Sequence, residues 1–206
     1  MKKVLLINGS PHEFGCTYYS LKEISYTLNK EGIETEFVWI DNKPISGCLG
    51  CNKCNEGKCV INDKVNEILA KINEIGAIII GSPVHYAAPT GKLVSFLDRL
   101  FYSSKGRLKN KLGAAIVTCR RAGSSSALDQ LNKYFFISSM PIVSSIYWNQ
   151  VHGNTVSEIK EDHEGLQTMR ILAQNMAWLL KCIECGTLNN IPLPNIENKI
   201  KTNFIR

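Results

Sequence analysis

Four cysteines lie close together in the first third of the sequence, with the spacing C-x2-C-x2-C-x4-C. They are Cys48, Cys51, Cys54 and Cys59. Cysteine thiolates bind iron–sulfur clusters and Zn²⁺, and thiols of lowered pKa act as redox switches. The first two gaps match ferredoxin-type ligation, whereas the last gap is longer than in the C-x2-C-x2-C-x3-C run. The spacing therefore leaves three interpretations open: an iron–sulfur cluster, a zinc site, or free and switchable thiols.

A further C-x2-C pair, Cys182 and Cys185, lies on a helical pattern near the end of the sequence. Free cysteine packs as a small apolar residue, so we expect these two side chains to be buried near a subunit boundary. The tail that follows, residues 186–206, is rich in Asn, Pro and Lys. We expect the tail to wrap the surface or to pair with another subunit.

Composition indicates a soluble globular protein, with 44% hydrophobic and 20% charged residues in a chain of 206. That length predicts a single domain, 1–206. The net charge is +6, but the basic residues form no stripe interleaved with aromatic residues, which argues against nucleic-acid binding. The apolar runs are too short for a membrane span or a secretory signal. We therefore expect no membrane association and a cytoplasmic location, where thiols stay reduced.

Short apolar runs alternate with helical patterns along the chain. Such alternation predicts β-α-β units and a parallel sheet with helices on both faces. Five strands suit a doubly wound, flavodoxin-like sheet of order 2-1-3-4-5. The predicted strands are residues 4–8, 35–40, 77–83, 112–118 and 142–147. The predicted helices are residues 17–29, 65–75, 91–100, 128–135 and 165–181, which leaves the cysteine-rich loop at 47–60.

Ligands of doubly wound sheets bind beyond the carboxyl ends of the strands. The loop after the first predicted strand, residues 8–17, combines two glycines with the hydroxyls of Ser10 and Thr17. The helix behind it turns free N–H groups and a positive dipole end toward the loop, which predicts a phosphate seat. The sequence matches neither the ATP P-loop nor the G-x-G-x-x-G fingerprint. An ordinary strand–helix turn with Thr17 as N-cap is the alternative.

Two more loops reach the same edge of the predicted sheet. In residues 81–99, Pro83 and Pro89 stiffen the loop, and His85 and Tyr86 are placed to flank a flat aromatic ligand. In residues 118–126, small residues and two arginines could line an anionic or planar ligand. The alternatives are side chains packed beneath the next helix in the first case and a solvated turn in the second.

Together these motifs resemble the flavodoxin-like FMN reductases, especially the iron–sulfur flavoproteins. The resemblance extends from KVLLINGSP through the four-cysteine loop and IIIGSPVHY to DHEGLQTMRILAQNMAWL. The phosphate loop of that family reads roughly G-S-P-R-x-x-G-N-T. Ser10, Gly15 and Thr17 match this pattern, whereas His12 replaces the arginine and Cys16 replaces the asparagine. In the loop after the third strand, His85 replaces a tyrosine.

The resemblance implies FMN, with its phosphate at residues 10–17 and its ring near residues 83–86 and 118–123. It also implies that the cysteine loop holds a [4Fe–4S] cluster with Cys48, Cys51, Cys54 and Cys59 as ligands. The flavin performs the hydride and electron transfers, so no catalytic residue is assigned. The implied FMN contacts are Ser10, His12, Gly15, Cys16, Thr17, Pro83, Val84, His85, Tyr86, Thr118, Cys119, Arg120 and Gly123.

The function that follows is an FMN oxidoreductase passing electrons between a reduced donor and a small-molecule acceptor. The donor is expected to be NAD(P)H or ferredoxin, and the protein a homodimer or homotetramer. A non-enzymatic electron carrier or a thiol redox sensor is the alternative. A nucleotide-hydrolysing switch is disfavoured, because the P-loop lysine is missing.

Overall fold

The computed structural model describes residues 2–195, 197, 198, 200, 202 and 204. Its sheet has five parallel strands in the order β2-β1-β3-β4-β5. The strands are β1 (Lys3–Asn8), β2 (Thr35–Trp39), β3 (Ile75–Pro83), β4 (Leu112–Cys119) and β5 (Gln150–His152). The predicted flavodoxin-like order 2-1-3-4-5 is confirmed.

Helices pack on both faces of this sheet. They are α1 (Cys16–Lys30), α2 (Lys64–Lys71), α3 (Gly91–Ser103), α4 (Ser124–Ile137), α5 (Val156–Glu161) and α6 (His163–Leu188). The short helix α5 is not among the predicted helices, and α6 is longer than predicted at both ends. Within the described ranges, no helix is long and apolar enough to cross a membrane.

The core has two halves, because successive strand residues point to opposite faces of the sheet. Leu5 and Ile7 of β1 pack with the apolar residues of α2, α3 and α4. Val4 and Leu6 pack with those of α1 and α6. The central strands are therefore buried on both faces, which explains why they are continuously apolar in sequence.

The fifth strand lies later in the chain than predicted. Residues 142–147 were expected to form it, but only Ile142 bridges β4, opposite Gly113. The Oγ of Ser145 then donates a hydrogen bond to the carbonyl oxygen of Tyr147 and lies 2.7 Å from Asn149 Oδ1. Such side-chain bonds favour a turn over a sheet ladder, so the chain loops out after Ile142 and pairs with β4 again at Gln150–His152.

Cys182 and Cys185 are exposed on α6, so the prediction that they are buried is wrong for the single chain, whereas their position near a subunit boundary stays a prediction. The buried side of α6 includes Leu172, Met176 and Leu180, which recur every fourth residue. The two cysteines lie off that stripe, so the helix turns them toward solvent.

The tail prediction falls partly on residues 196, 199, 201, 203, 205 and 206, which lie outside the described residues. Within the described tail, the Ile191 N–H donates to the Gly186 carbonyl oxygen at 2.9 Å, and Leu193 lines one cleft with Leu180 of α6. Wrapping of the surface, pairing with another subunit and the single domain stay predictions.

Candidate functional site

Three loops meet at the carboxyl edge of the sheet, where the strand order reverses between β1 and β3. They are residues 9–15 after β1, 84–90 after β3 and 120–123 after β4. A crevice opens at such a reversal, because the connections on its two sides lead to opposite faces of the sheet. The ligand-facing residues predicted from the sequence lie on these loops or at the strand and helix ends next to them.

Hydrogen bonds fix the shape of the loop after β1. Asn8 accepts from the Ser10 N–H at 3.0 Å and donates to the Glu13 carbonyl oxygen at 2.9 Å. The Oγ of Ser10, which is buried, accepts from the His12 N–H at 3.1 Å. A loop closed on itself in this way is held in shape before any ligand binds.

Neighbouring elements hold the same loop from outside. The indole N–H of Trp39, at the end of β2, donates to the Ser10 carbonyl oxygen at 2.8 Å. The hydroxyl of Thr90, just before α3, donates to the Gly9 carbonyl oxygen at 2.8 Å. Sequence reasoning missed Trp39, Thr90 and Asn8, although a polar residue closing an apolar strand, as Asn8 does, was a usable signal.

The N-terminus of α1 opens toward this loop without a side-chain cap. Gly15 occupies the N-cap position. Because glycine has no side chain, no side-chain hydrogen bond caps the helix. The interpretation of Thr17 as N-cap is therefore wrong. The first N–H groups of a helix lack intrahelical partners and carry its positive dipole end, so this terminus suits a phosphate.

Thr17 itself is fully buried and connects the start of α1 to the end of β4. Its Oγ1 lies 2.9 Å from Oγ1 of Thr118, at the end of β4. Of the two nearby thiols, Cys119 is buried and Cys16 is half-buried. Burial raises the pKa of the Cys16 thiol and of the Cys119 thiol, which keeps both protonated at neutral pH.

The loop after β3 forms a tight turn at its tip. The His85 N–H donates to the Ala88 carbonyl oxygen at 2.8 Å, and the Ala88 N–H returns a bond of 3.0 Å. Tyr86 and Ala87, between them, have φ angles of 51° and 60°. Positive φ is unusual for a bulky residue, and such conformations concentrate at ligand sites. The turn projects Tyr86 entirely into solvent, and His85 is exposed as well.

The loops after β3 and β4 are in close contact at Gly123. Gly123 has a φ of 85°, and a Cβ added there would lie 2.8 Å from Ala87 Cα and 3.1 Å from Val84 Cγ1. Val84 is also tied to β4 by its N–H, which donates to the Thr118 carbonyl oxygen at 2.9 Å. The two loops thus form one continuous wall beside the α1 terminus. Arg120, by contrast, is exposed at the edge of this arrangement.

The cysteine loop is a compact structure between β2 and α2. Gly50 and Gly57 have φ angles of 61° and 72°, and Asn52 and Glu56 have φ angles of 54°. These left-handed positions let the chain fold tightly on itself. The carbonyl oxygen of Gly57 accepts a hydrogen bond of 2.6 Å from Arg107, which fastens the loop to the segment that follows α3.

All four cysteines of the loop line one small cavity. Cys54 is buried and Cys59 half-buried, whereas Cys48 and Cys51 are exposed. Cys54 Sγ accepts from the Ser103 hydroxyl at 3.3 Å, and Cys59 Sγ accepts from Arg99 Nε at 3.4 Å. Sequence reasoning missed both donors, because they belong to α3 and lie about 40 to 50 residues from the cysteines in sequence.

The chemistry of this donor set fits an iron–sulfur cluster. Cluster-bound thiolates commonly accept hydrogen bonds, as two of these sulfurs do. Among the described residues, no three His, Cys, Asp or Glu side chains are close enough to hold a single metal ion.

Comparisons with known proteins identify the family of this chain. Residues 2–155 match the family model described as NADPH-dependent FMN reductase. An iron–sulfur flavoprotein of Methanocaldococcus jannaschii is 36% identical over 191 residues, covering 88% of this chain and 99% of that protein. An iron–sulfur flavoprotein of Methanosarcina thermophila is 29% identical over 188 residues, covering 88% and 97%.

Solved structures share the fold at low sequence identity. RosB, in complex with a formylated riboflavin phosphate, has a TM-score of 0.71 at 16% identity, covering 100% of this chain and 94% of that one. A flavodoxin from the domain Archaea has a TM-score of 0.58 at 16% identity, covering 88% and 99%. With the family match across most of the sequence, this chain belongs to the NADPH-dependent FMN reductase family, in the branch of the iron–sulfur flavoproteins.

Proposed function

We propose that this protein is an FMN-dependent oxidoreductase that also holds a [4Fe–4S] cluster and passes electrons between a reduced donor and a small acceptor. The observation that carries the proposal is the uncapped N-terminus of α1 at the strand-order reversal, beside a wall formed by two loops. Family membership supports FMN as the cofactor and redox chemistry as the activity.

The chain would bind the FMN phosphate through the α1 terminus and the loop after β1. Backbone N–H groups at residues 16–18 are the donors of that terminus. The proposed phosphate residues are Ser10, His12, Gly15, Cys16 and Thr17. The N–H groups of Ser10, His12 and Gly15 already donate within the loop, so Cys16 and Thr17 would supply the backbone donors. The Ser10 hydroxyl accepts from the His12 N–H, so its own hydrogen stays available to the phosphate, as does that of Thr17 when Thr118 donates within their pair.

The flavin ring would lie against the wall formed by the loops after β3 and β4. The proposed ring contacts are Pro83, Val84, His85, Tyr86, Thr118, Cys119, Arg120 and Gly123. When bound, FMN supplies hydride and single-electron transfer, so the chain needs no acid or nucleophile of its own. The task of these residues is to orient the ring and to leave its reactive edge accessible.

The cysteine loop would hold the cluster through Cys48, Cys51, Cys54 and Cys59. A cluster exchanges single electrons, which matches a flavin that takes electrons one or two at a time. NAD(P)H or ferredoxin is the proposed donor, and a small molecule such as a quinone is the proposed acceptor.

Anaerobic oxidation of NADPH or NADH with an added quinone tests the activity directly. We expect steady turnover that depends on bound FMN. If neither nicotinamide supports turnover, reduced ferredoxin is the donor to test next. If none of the three donors supports multiple turnovers, the proposal that the protein is an enzyme is contradicted. The electron carrier and the thiol redox sensor would then be the functions to test.

One observation favours the thiol redox sensor as second candidate. Burial by itself raises the pKa of the Cys59 thiol, but hydrogen bonds from Arg99 and from the Ile61 N–H, with the Arg99 charge, bring the pKa below its usual value. Thiols of lowered pKa react faster with oxidants and alkylating agents. A sensor would show reversible oxidation at Cys59 without turnover of a donor.

The Thr17 hydroxyl offers a test of the phosphate seat. We expect Thr17→Val to weaken FMN binding by about 1.5–3 kcal/mol, because the hydroxyl would donate to the phosphate. The matched control is Thr27→Val, which removes a hydroxyl of the same helix that donates to the Glu23 carbonyl oxygen. Fluorescence titration should give a lower FMN affinity for Thr17→Val than for Thr27→Val. An FMN affinity of Thr17→Val equal to that of the control would contradict the phosphate seat.

We further propose that the protein is a homodimer or homotetramer. The proposed flavin seat lies at the rim of one sheet and is open to solvent, so a partner subunit could cover it. Large aromatic side chains are also exposed on the helices and beside β5, among them Phe136, Tyr147, Trp148 and Trp178. Light scattering of the FMN-bound protein at micromolar concentration should give at least twice the mass of one chain. A monomer under these conditions would contradict the proposal.

A further inference from the structure

An almost completely buried arginine of α3 binds both ends of the cysteine loop. Arg99 is 1% exposed and pairs with both carboxylate oxygens of Asp63, at 2.6 and 2.9 Å. Its remaining donors reach the carbonyl oxygens of Ser46, which precedes the first cysteine, and of Ile61, which follows the last. The Nε–H completes the set by donating to Cys59 Sγ at 3.4 Å.

A second donor stands one helical turn further along α3. Residues four apart share one helix face, so Ser103 lies on the same face as Arg99. Its hydroxyl is buried and donates to Cys54 Sγ at 3.3 Å. The helix thus offers the loop a charged donor for Cys59 and a neutral donor for Cys54, while Cys48 and Cys51 remain exposed on the outer side.

We infer that Arg99 and Ser103 are positioning residues that hold Cys54 and Cys59 as the inner half of the cluster site and raise the cluster's reduction potential. Reduction adds negative charge, and hydrogen bonds to the cluster's sulfur atoms stabilise the reduced form more than the oxidised form. Asp63 balances much of the guanidinium charge, so we assign the effect mainly to the two hydrogen bonds. This inference rests on the proposed cluster.

The sharpest test compares two neighbouring serines, the last residue of α3 and the residue that caps it. Ser103→Ala removes the donor to Cys54, whereas Ser104→Ala removes a buried hydroxyl that donates to the Phe101 carbonyl oxygen instead. In anaerobically purified protein, spectroelectrochemistry should show a more negative cluster potential for Ser103→Ala than for the wild type. Iron and FMN contents should be unchanged, and Ser104→Ala should keep the wild-type potential. Equal potentials in all three proteins would overturn the inference.

Arg99 is tested with two replacements. A lysine keeps the charge but cannot reproduce the planar fork of donors, and a glutamine removes the charge as well. Both variants should have a lower potential and should lose iron faster in air, with Arg99→Gln the more affected. A wild-type potential and rate of iron loss in both would remove Arg99 from the inference.

Failure of this inference can be distinguished from failure of the proposed cluster. Without iron in the wild type, the proposed cluster and the effect on its potential both fail. Hydrogen exchange of the apoprotein then tests the anchoring alone: Arg99→Gln should speed exchange in residues 46–61, and Arg170→Gln, which breaks an ion pair between α6 and α1, should not. Unchanged exchange in Arg99→Gln would overturn the anchoring.

Discussion

Replacement of Cys51 by alanine is expected to remove almost all iron from the protein while leaving FMN bound. The four loop cysteines act as a set in the proposed cluster, so loss of one thiolate leaves one iron without its protein ligand. Cys51 is exposed, and its truncation should therefore disturb no core packing. The proposed flavin seat lies on other loops and keeps its contacts. Iron, acid-labile sulfide and FMN per chain, measured after anaerobic purification, give the result.

Cys182→Ala is the matched control for this experiment. Cys182 is also exposed but lies on α6, away from the loop. The control should retain wild-type iron and flavin contents. Full iron occupancy in Cys51→Ala would remove Cys51 from the ligand set, and parallel loss of FMN would mean that the two sites are not independent.

Gly123→Ala is expected to weaken FMN binding by at least about tenfold, equivalent to roughly 1.4 kcal/mol. The added methyl group would meet the backbone of Ala87 at 2.8 Å, so the loop after β3 must move away from the loop after β4. That movement opens the proposed wall for the flavin ring. The left-handed conformation adds strain of about 1–2 kcal/mol for a residue other than glycine. Fluorescence titration and thermal unfolding measure the two effects.

Gly32→Ala separates these two contributions. Gly32 has a similar φ of 78°, but an added Cβ would meet nothing within 4 Å. It follows α1 at the opposite end of that helix from the proposed phosphate seat. This control should lose stability without losing affinity for FMN. If Gly123→Ala binds FMN as tightly as Gly32→Ala does, the ring does not lie against this wall.

The central strands were predictable because burial on both faces makes them continuously apolar. β1, β3 and β4 lie within two residues of their predicted bounds at each end. The fifth strand was not predictable in the same way. The β-branched run from Ile142 looks like a strand, but the hydrogen bonds of the Ser145 hydroxyl turn the chain outward before it can pair along β4.

The loops that form the candidate site were also predictable, since they follow the ends of recognisable strands. What was missing is the set of side chains that hold these loops. Trp39 and Thr90 reach the loop after β1 from other parts of the chain, and Arg99 reaches the cysteine loop from α3. Such long-range contacts have no periodicity or spacing in sequence, because they depend on how the finished elements pack.

The burial of Cys182 and Cys185 was predicted wrongly for a local reason, not because of a long-range contact. Cysteine is among the most often buried residues, which favoured a buried pair. The phase of the helix decides otherwise, since the apolar stripe of α6 passes through Leu180 and not through either cysteine. A strict count of the helical period from Leu172 would have placed both on the outer side.

The central claim, that one chain carries both FMN and an iron–sulfur cluster, is tested most directly by the visible absorption spectrum of anaerobically purified protein, with iron and acid-labile sulfide determined on the same sample. The account predicts flavin bands together with a broad shoulder that bleaches with dithionite, and about four iron and four sulfide per chain for one [4Fe–4S] cluster. A spectrum without flavin bands, or a sample with flavin but without iron and sulfide, would contradict it.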